Sequence, residues 1–189
     1  MYLKIKICFL FFLIISCQPI EIIKPVEIEN KNFPQISINA KNALINIKYA
    51  SVFSDENIED QVENPPLKII TSWNKDNITI FGNENTLIIN IIDASINRSE
   101  VENIDAKKYE EKIIYKYEIF YLVEYQLFDD SDILLANITV ESSRSTTSKK
   151  YISLNERELI INDLTYNSLK DFSMEAKSLF ETYMLEYLK

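Results

Sequence analysis

The sequence predicts an α+β fold. The expected core is a four-stranded, mostly antiparallel mixed sheet in the element order β-α-β-β-β-α, with two helices packed on one face. Three observations carry this. From Ile113 to Leu127, apolar or aromatic residues fill every second position (Ile113, Tyr115, Tyr117, Ile119, Tyr121, Val123, Tyr125, Leu127), the period of a strand with one buried face. Asp129-Asp130-Ser131-Asp132 then supplies a turn, and Leu134, Ala136, Ile138 and Val140 repeat the period to about Ser145, so the two runs form an antiparallel hairpin. Finally, Ser153-Leu154-Asn155-Glu156 has capping-box spacing and opens a helix that runs almost to Lys189.

The other elements follow in chain order. Ala43 to Phe53 alternates Ile45, Ile47 and Tyr49 with Asn46 and Lys48, a half-buried strand. Ser54 to Glu63 is an acidic loop. Asn64 before Pro65 is the pairing of an N-cap with a proline at the first helical position. Leu67, Ile70, Trp73, Ile78 and Phe81 recur near helical spacing up to Gly82, a residue suited to a left-handed C-terminal cap, so the spacing predicts a helix over 65–81. Ile78-Thr79-Ile80-Phe81 also reads as a short strand.

Leu87 to Ile96 is nearly continuous in apolar residues, as in a central strand, and Asp93 interrupts it. A carboxylate in such a strand calls for a cation. The chain has three arginines, Arg98, Arg144 and Arg157; an Asp93–Arg157 ion pair, holding the last helix to the sheet, is the expected structural solution. Glu100 to Lys112 is a charged connection. On the far face of the strand from Ile113, Phe120 and Leu122, together with Leu135, form a candidate contact patch. The apolar stripe of the last helix is Leu154, Ile161, Leu164, Phe172, Ala176, Leu179, Tyr183 and Tyr187, with a bend expected at Asn167-Ser168.

The N-terminus has a different character. Lys4 and Lys6 precede an apolar run from Ile5 to Ile15, short of the roughly 20 residues that a membrane-spanning helix needs, and read as a signal peptide over 1–16. The run ends in Ile14-Ile15-Ser16-Cys17, which resembles the lipobox of bacterial lipoproteins. The resemblance implies diacylglycerol on the Cys17 sulfur, cleavage before it, and an acyl chain such as palmitate on the freed amine. Pro19, Pro25 and Pro34 mark 17–42 as an extended tether, with a first edge strand as the alternative for 18–34, ahead of a single domain over 43–189. In the enterobacterial lipoproteins that this signal resembles, an Asp after the cysteine favours the inner membrane, so Gln18 in that place implies the periplasmic face of the outer membrane more than the inner one.

Composition narrows the chemistry. Twenty basic against 29 acidic residues give a net charge of −9, a surface that repels nucleic acid and anionic head groups alike. The chain has no histidine, which removes the commonest general base and metal ligand. Its one glycine rules out Gly-rich phosphate loops. The two cysteines, Cys8 and Cys17, both fall in or beside the signal, so no disulfide is expected in the domain. Asp129, Asp130 and Asp132 lack the glycine and distal glutamate of a calcium loop and read as a solvated turn. Glu110-Glu111 and Glu156-Glu158 do not make a paired acid–base site, and three Asn-X-Ser/Thr sequons, at Asn77, Asn97 and Asn137, are unsurprising in an Asn-rich chain. The evenly spaced tyrosines read as core. An enzyme is not expected, nor a cofactor beyond the covalent acyl chains, nor a small-molecule ligand.

In the order of elements over 43–189, and in the signal at 14–17, the chain resembles two groups of Gram-negative lipoproteins. One is the lipopolysaccharide-assembly lipoprotein that plugs an outer-membrane barrel; the other is the auxiliary lipoprotein of ABC-type lipid-trafficking systems. The first commonly has Gly-Phe after its lipidated cysteine, where this chain has Gln18-Pro19. The resemblance implies a non-enzymatic accessory subunit with an envelope protein as partner and the membrane reached through its lipid. The alternative is a carrier of lipid or another hydrophobic ligand, with a cavity lined by Tyr115, Tyr117, Ile119 and Phe172.

Overall fold

Strand β5 (Ile113–Phe128) organises the molecule, and the computed structural model, which describes residues 33–52 and 54–189, places it at the centre of the main sheet. Its inward residues Tyr117, Ile119, Tyr121, Val123, Tyr125 and Leu127 are all buried, as the period of two requires. Around it the sheet has the order β2-β4-β5-β6, from β2 (Asn42–Ile47), β4 (Thr86–Glu102) and β6 (Leu134–Ser148). The β2–β4 pair is parallel and the other two pairs are antiparallel, so the sheet is mixed as expected. Helices α1 (Pro66–Asn77) and α2 (Leu154–Tyr183) cover one face.

Aromatic rings fill the layer between sheet and helices. Phe172 stands edge-on to Trp73 (centroids 5.4 Å apart, 89°) and is tilted against Tyr121 (5.6 Å, 65°); Phe180 meets Tyr125 at 5.0 Å. Such pairs contribute about 0.5–1.5 kcal/mol each beyond their area burial. The hydroxyl of Tyr125 donates to Asn74 Oδ1 at 2.8 Å, and Asn74 Nδ2 donates to Ile70 O at 2.8 Å, so this buried pair is satisfied. Tyr121 is equally buried, but its hydroxyl has no protein partner.

Several boundaries differ from the sequence expectation, each for a local reason. A strand the sequence reading missed, β1 (Ile36–Asn39), pairs in parallel with β3 (Ile78–Phe81) in a small second sheet. Phe33, Ile36, Ile38 and Ala40 are buried, so the packed structure reaches back beyond the boundary expected at 43 into the stretch expected to be tether. The helix expected over 65–81 stops at Asn77, because the β-branched Ile78-Thr79-Ile80 run finds strand partners in β1. It also starts one residue later than expected: Pro65 is the N-cap and Pro66 the first helical residue, so Asn64 does not cap it.

Gly82 therefore does not end a helix. It sits at the β3–β4 corner with φ of +115°, where a Cβ would lie 2.0 Å from Asn39 Oδ1. Helix α2 runs unbroken through Asn167-Ser168. Asn167 Nδ2 donates to its own helix at Asp163 O (2.9 Å), leaving the helical ladder intact. The capping box at Ser153 is present in both directions: Ser153 N–H donates to Glu156 Oε2, and Glu156 N–H to Ser153 Oγ. The carboxyl of Glu156 is held below its ordinary range by the Ser153 backbone and hydroxyl.

A β-bulge divides β4. Ile91 lies opposite Val123 and Asp93 opposite Leu122, which leaves Ile92 as the extra residue. The inward set thus changes phase, from Leu87, Ile89 and Ile91 to Ala94 and Ile96, and all five are buried.

The two buried tyrosines make opposite predictions. Tyr121→Phe removes an unpartnered hydroxyl and is expected to stabilise by about 1 kcal/mol, whereas Tyr125→Phe strands Asn74 Oδ1 and is expected to cost about 1–3 kcal/mol in urea unfolding at neutral pH. Burial raises both phenols above the ordinary 10.0. The folded chain holds these protons when the unfolded chain releases them, so stability present below pH 10.0 falls as the pH rises further, and less steeply in Tyr121→Phe.

Candidate functional site at the open edge of β2

Strand β2 forms one edge of the main sheet. Its six residues, Asn42-Ala43-Leu44-Ile45-Asn46-Ile47, carry no charge, and Leu44 (52% exposed) and Ile47 (54%) stand in solvent. Among the described residues nothing pairs with its outer side. The other edge of the main sheet is β6, and in the small second sheet the edge of β1 is closed: Leu188 bridges Ile38, and Lys189 N–H donates to Ser37 O at 3.2 Å. An uncharged edge with unused backbone groups is a template for strand addition.

At the Ile47 end of this edge a groove of about 720 Å³ opens between the chain that follows β2 and α1. Ile47, Pro65 and Leu67 give it an apolar floor, and Glu59, Asp60, Lys68 and Lys75 lie along it. Proline at the start of α1 fixes the chain's entry, which places Leu67 and Thr71 toward the groove while Ile69, Ile70 and Trp73 face the core. At one end Tyr49 donates to Glu59 Oε1, to which Asn57 Nδ2 also donates at 3.2 Å. Partial burial, and next the hydrogen bond and charge of Glu59, raise the Tyr49 phenol well above its ordinary value, so it stays protonated and keeps that loop folded back.

A more polar depression of about 540 Å³ adjoins it, with Asp55, Asp60 and Arg98 in its lining. Arg98 itself lies over the Tyr115 ring, 4.9 Å from the centroid.

The sequence-predicted residues do not converge here. Cys17 and the signal peptide lie outside the described residues. The expected Asp93–Arg157 ion pair is not formed: Asp93 Oδ1 and Arg157 Nε are each buried without a hydrogen-bond partner, and no ion pair among the described residues joins them. The arginine that does tie α2 to the sheet is Arg144, paired with Asp171. The bulge explains the miss, since it resets which way β4 residues point from Ile92 onward.

Phe120 and Leu122 are neighbours on the uncovered face of β5, but Leu135 is the extra residue of a second bulge beyond Gln126 and Asn137. Two polar rows, Glu124 with Thr139 and Gln126 with Asn137, separate it from Leu122, so the three make no continuous patch. Across that face Asn90 Nδ2 donates to both Glu124 and Gln126, and Asn46 Nδ2 donates to Asn90 Oδ1. In the Asp129–Asp132 turn, Asp129 Oδ1 accepts from the backbone of Ser131 and Ile133, and Asp130 pairs with Lys41. Among the described residues no three acidic, Cys or His side chains converge to hold a metal ion, and no helix is long and apolar enough to cross a membrane.

The open edge of β2 was not readable in sequence. The alternation from Ala43 announces a strand, but its place at the end of the sheet depends on which strands pair.

No protein-family model matches the chain, and no curated protein matches it. Solved structures similar to it include a minor lipoprotein from Acinetobacter baumannii and the rare lipoprotein B from Shewanella oneidensis. The first is 10% identical, with 77% of this chain and 93% of that chain covered and a TM-score of 0.41. The second is 14% identical, with 78% and 100% covered and a TM-score of 0.39. Both are bacterial lipoproteins.

With no ion pair to break, Asp93→Asn is expected to change stability by less than about 1 kcal/mol, or to raise it, in thermal unfolding. A loss of 3–5 kcal/mol, roughly what removing one partner of a buried pair costs, would show that the carboxylate is paired after all.

Proposed function

We propose that the mature chain is a lipid-anchored accessory protein of the bacterial envelope, on the periplasmic side and in the outer membrane rather than the inner. It carries no catalysis of its own and acts by binding a protein partner in outer-membrane assembly or lipid transport. The observation that carries this reading over a hydrophobic carrier is the contact of Phe172 with both Trp73 and Tyr121, because side chains fill the space between sheet and helices that a carrier would hold open. The lipobox-like Ile14-Ile15-Ser16-Cys17 supports the anchor, and the lack of histidine supports a role without acid–base chemistry.

The edge of β2 and its groove are the docking site in this reading, and the occupant is an extended, apolar segment of the partner with acidic flanks. In the groove Lys68 and Lys75 stand with Glu59, which Tyr49 already engages, and Asp60, so the complementarity to an acidic flank lies at Lys48, which follows the strand directly.

Two measurements check this. The intact mass of the purified wild type should carry an acyl increment that Cys17→Ser lacks; equal masses after processing would remove the anchor. A photo-crosslinker at Leu44 should capture one envelope protein from detergent-solubilised membranes, with capture lost in Ile47→Lys and kept in Tyr183→Lys. Capture that survives Ile47→Lys, or recovery of phospholipid alone, would overturn the β2 docking site, the latter in favour of the carrier.

A further inference from the structure

The three most exposed large apolar side chains among the described residues lie at one end of the molecule: Ile104 (92%) and Tyr109 (91%) in the β4–β5 loop, and Tyr151 (82%) in the β6–α2 turn. Leu154 (70%), the first residue of α2, adjoins them. The two loops form one unit. Lys150 N–H donates to Glu111 Oε2 at 2.7 Å, Lys150 Nζ reaches Glu100, and Asn103 N–H donates to Lys112 O at 2.8 Å. The unit therefore holds these side chains out on a braced scaffold, so their exposure is not a product of fraying.

We propose that this tip seats in the head-group and upper acyl region of a phospholipid bilayer, the same membrane that holds the Cys17 lipid. The proposal rests on the anchored reading only for bringing the bilayer near. Three features favour lipid over a protein surface. The apolar groups protrude one at a time from separate turns, which a fluid bilayer accepts and a packed protein interface, built on a continuous face, does not. Tyrosine and lysine are the residues of membrane–water interfaces, and lysines 107, 108, 112, 149 and 150 surround the tip, with Lys108 Nζ 5.7 Å from the Tyr109 ring. The five lysines are matched by five carboxylates at this end, Glu100, Glu102, Asp105, Glu110 and Glu111, so the tip is close to neutral and does not share the strongly acidic character of the whole chain.

Reach is also sufficient. Phe33 packs on Tyr166, which stands roughly 18 Å along α2 from Leu154 at 1.5 Å per residue. The stretch from Cys17 to Phe33 can span at most about 55 Å, so the anchor and the tip can occupy one membrane plane.

The test uses the full lipoprotein reconstituted in vesicles of phosphatidylethanolamine and phosphatidylglycerol, with and without brominated phosphatidylcholine. Tyr109→Trp and Tyr151→Trp add a reporter at the tip, Tyr183→Trp adds one at the far end of α2, and buried Trp73 is the constant background. Bromolipid should quench the two tip reporters and shift their emission to shorter wavelength, leaving Tyr183→Trp unchanged. Unquenched tip reporters, equal quenching at position 183, or a tip response only when an envelope protein fraction is added would overturn the proposal. Quenching in a chain whose mass lacks the acyl increment would keep the tip and remove the anchor; an acylated chain without quenching would do the reverse.

Discussion

The rest of this structure depends on the burial of alternate side chains along β5. Six consecutive inward positions, Tyr117 to Leu127, are buried, and three of them are tyrosines. A tyrosine directed into a core leaves a thick layer to be filled, which Trp73 from α1 and Phe172 and Phe180 from α2 fill by edge-on packing. The domain has no cysteine, so this layer stands in place of covalent cross-links. It also fixes the helices: Phe172 and Phe180 meet Tyr121 and Tyr125, and two helical turns advance about as far as four strand residues. Helix α2 consequently runs over β6 and β5 without the break its Asn167-Ser168 pair suggests.

How much of this is legible in sequence depends on whether a signal repeats. The β5–β6 hairpin and the capping box at Ser153 are readable, because each is a run of agreeing local choices. Strand β1 is not. Ile36-Ser37-Ile38-Asn39 is four residues long, follows a proline-marked stretch, and is held by partners far off in sequence, at 78–81 and at Leu188. The run Ile78 to Phe81 fits helical spacing and strand propensity alike, and only β1 decides between them. The bulge at Ile92 is hidden for the opposite reason: a run apolar on both phases conceals a change of phase. Inferring Asp93's partner required knowing where its side chain lies, so the missed bulge became a missed ion pair, and the second bulge at Leu135 likewise broke an apolar patch that simple alternation made continuous. Of the site, the groove beside β2 was absent from the sequence reading, because it is a product of strand order.

The outer face of the main sheet and the edges of the two sheets are treated differently. Part of the outer face is joined by hydrogen bonds among its own side chains, with Asn46, Asn90, Glu124 and Gln126 linked across three strands beside the uncovered Phe120 and Leu122. The β1 edge is covered by the chain's own C-terminus. Charge guards neither the strand nor the edge of β2; it only flanks them, at Lys41 and Lys48. Lys41 is already engaged with Asp130, so the remaining asymmetry lies at the Lys48 end, where the groove begins. The edge of β2 is thus short, uncharged and without a strand partner at its outer side, while the opposite edge of the main sheet is β6, the strand on which α2 chiefly packs.

Seating the tip in a bilayer fixes what the open edge faces. Strands β2 and β4 are parallel, and β4 continues past Ile91, the partner of Ile47, to Glu102 at the base of the tip. At 3.3 Å per residue the end of β2 stands roughly 35 Å from the tip, less what twist and the bulge remove. A segment added to β2 then runs along the membrane normal rather than across the surface. It belongs to a partner that projects from the same membrane, since an extended strand lying flat on the head groups would meet the loops and not the edge. Acidity contributes to the same arrangement: a chain of net charge −9 is repelled by anionic head groups, so it is held upright on its neutral, lysine-ringed end and does not lie along its side. On the proposed reading the lipid supplies attachment and the tip supplies orientation, and neither alone would hold the β2 edge at a defined height.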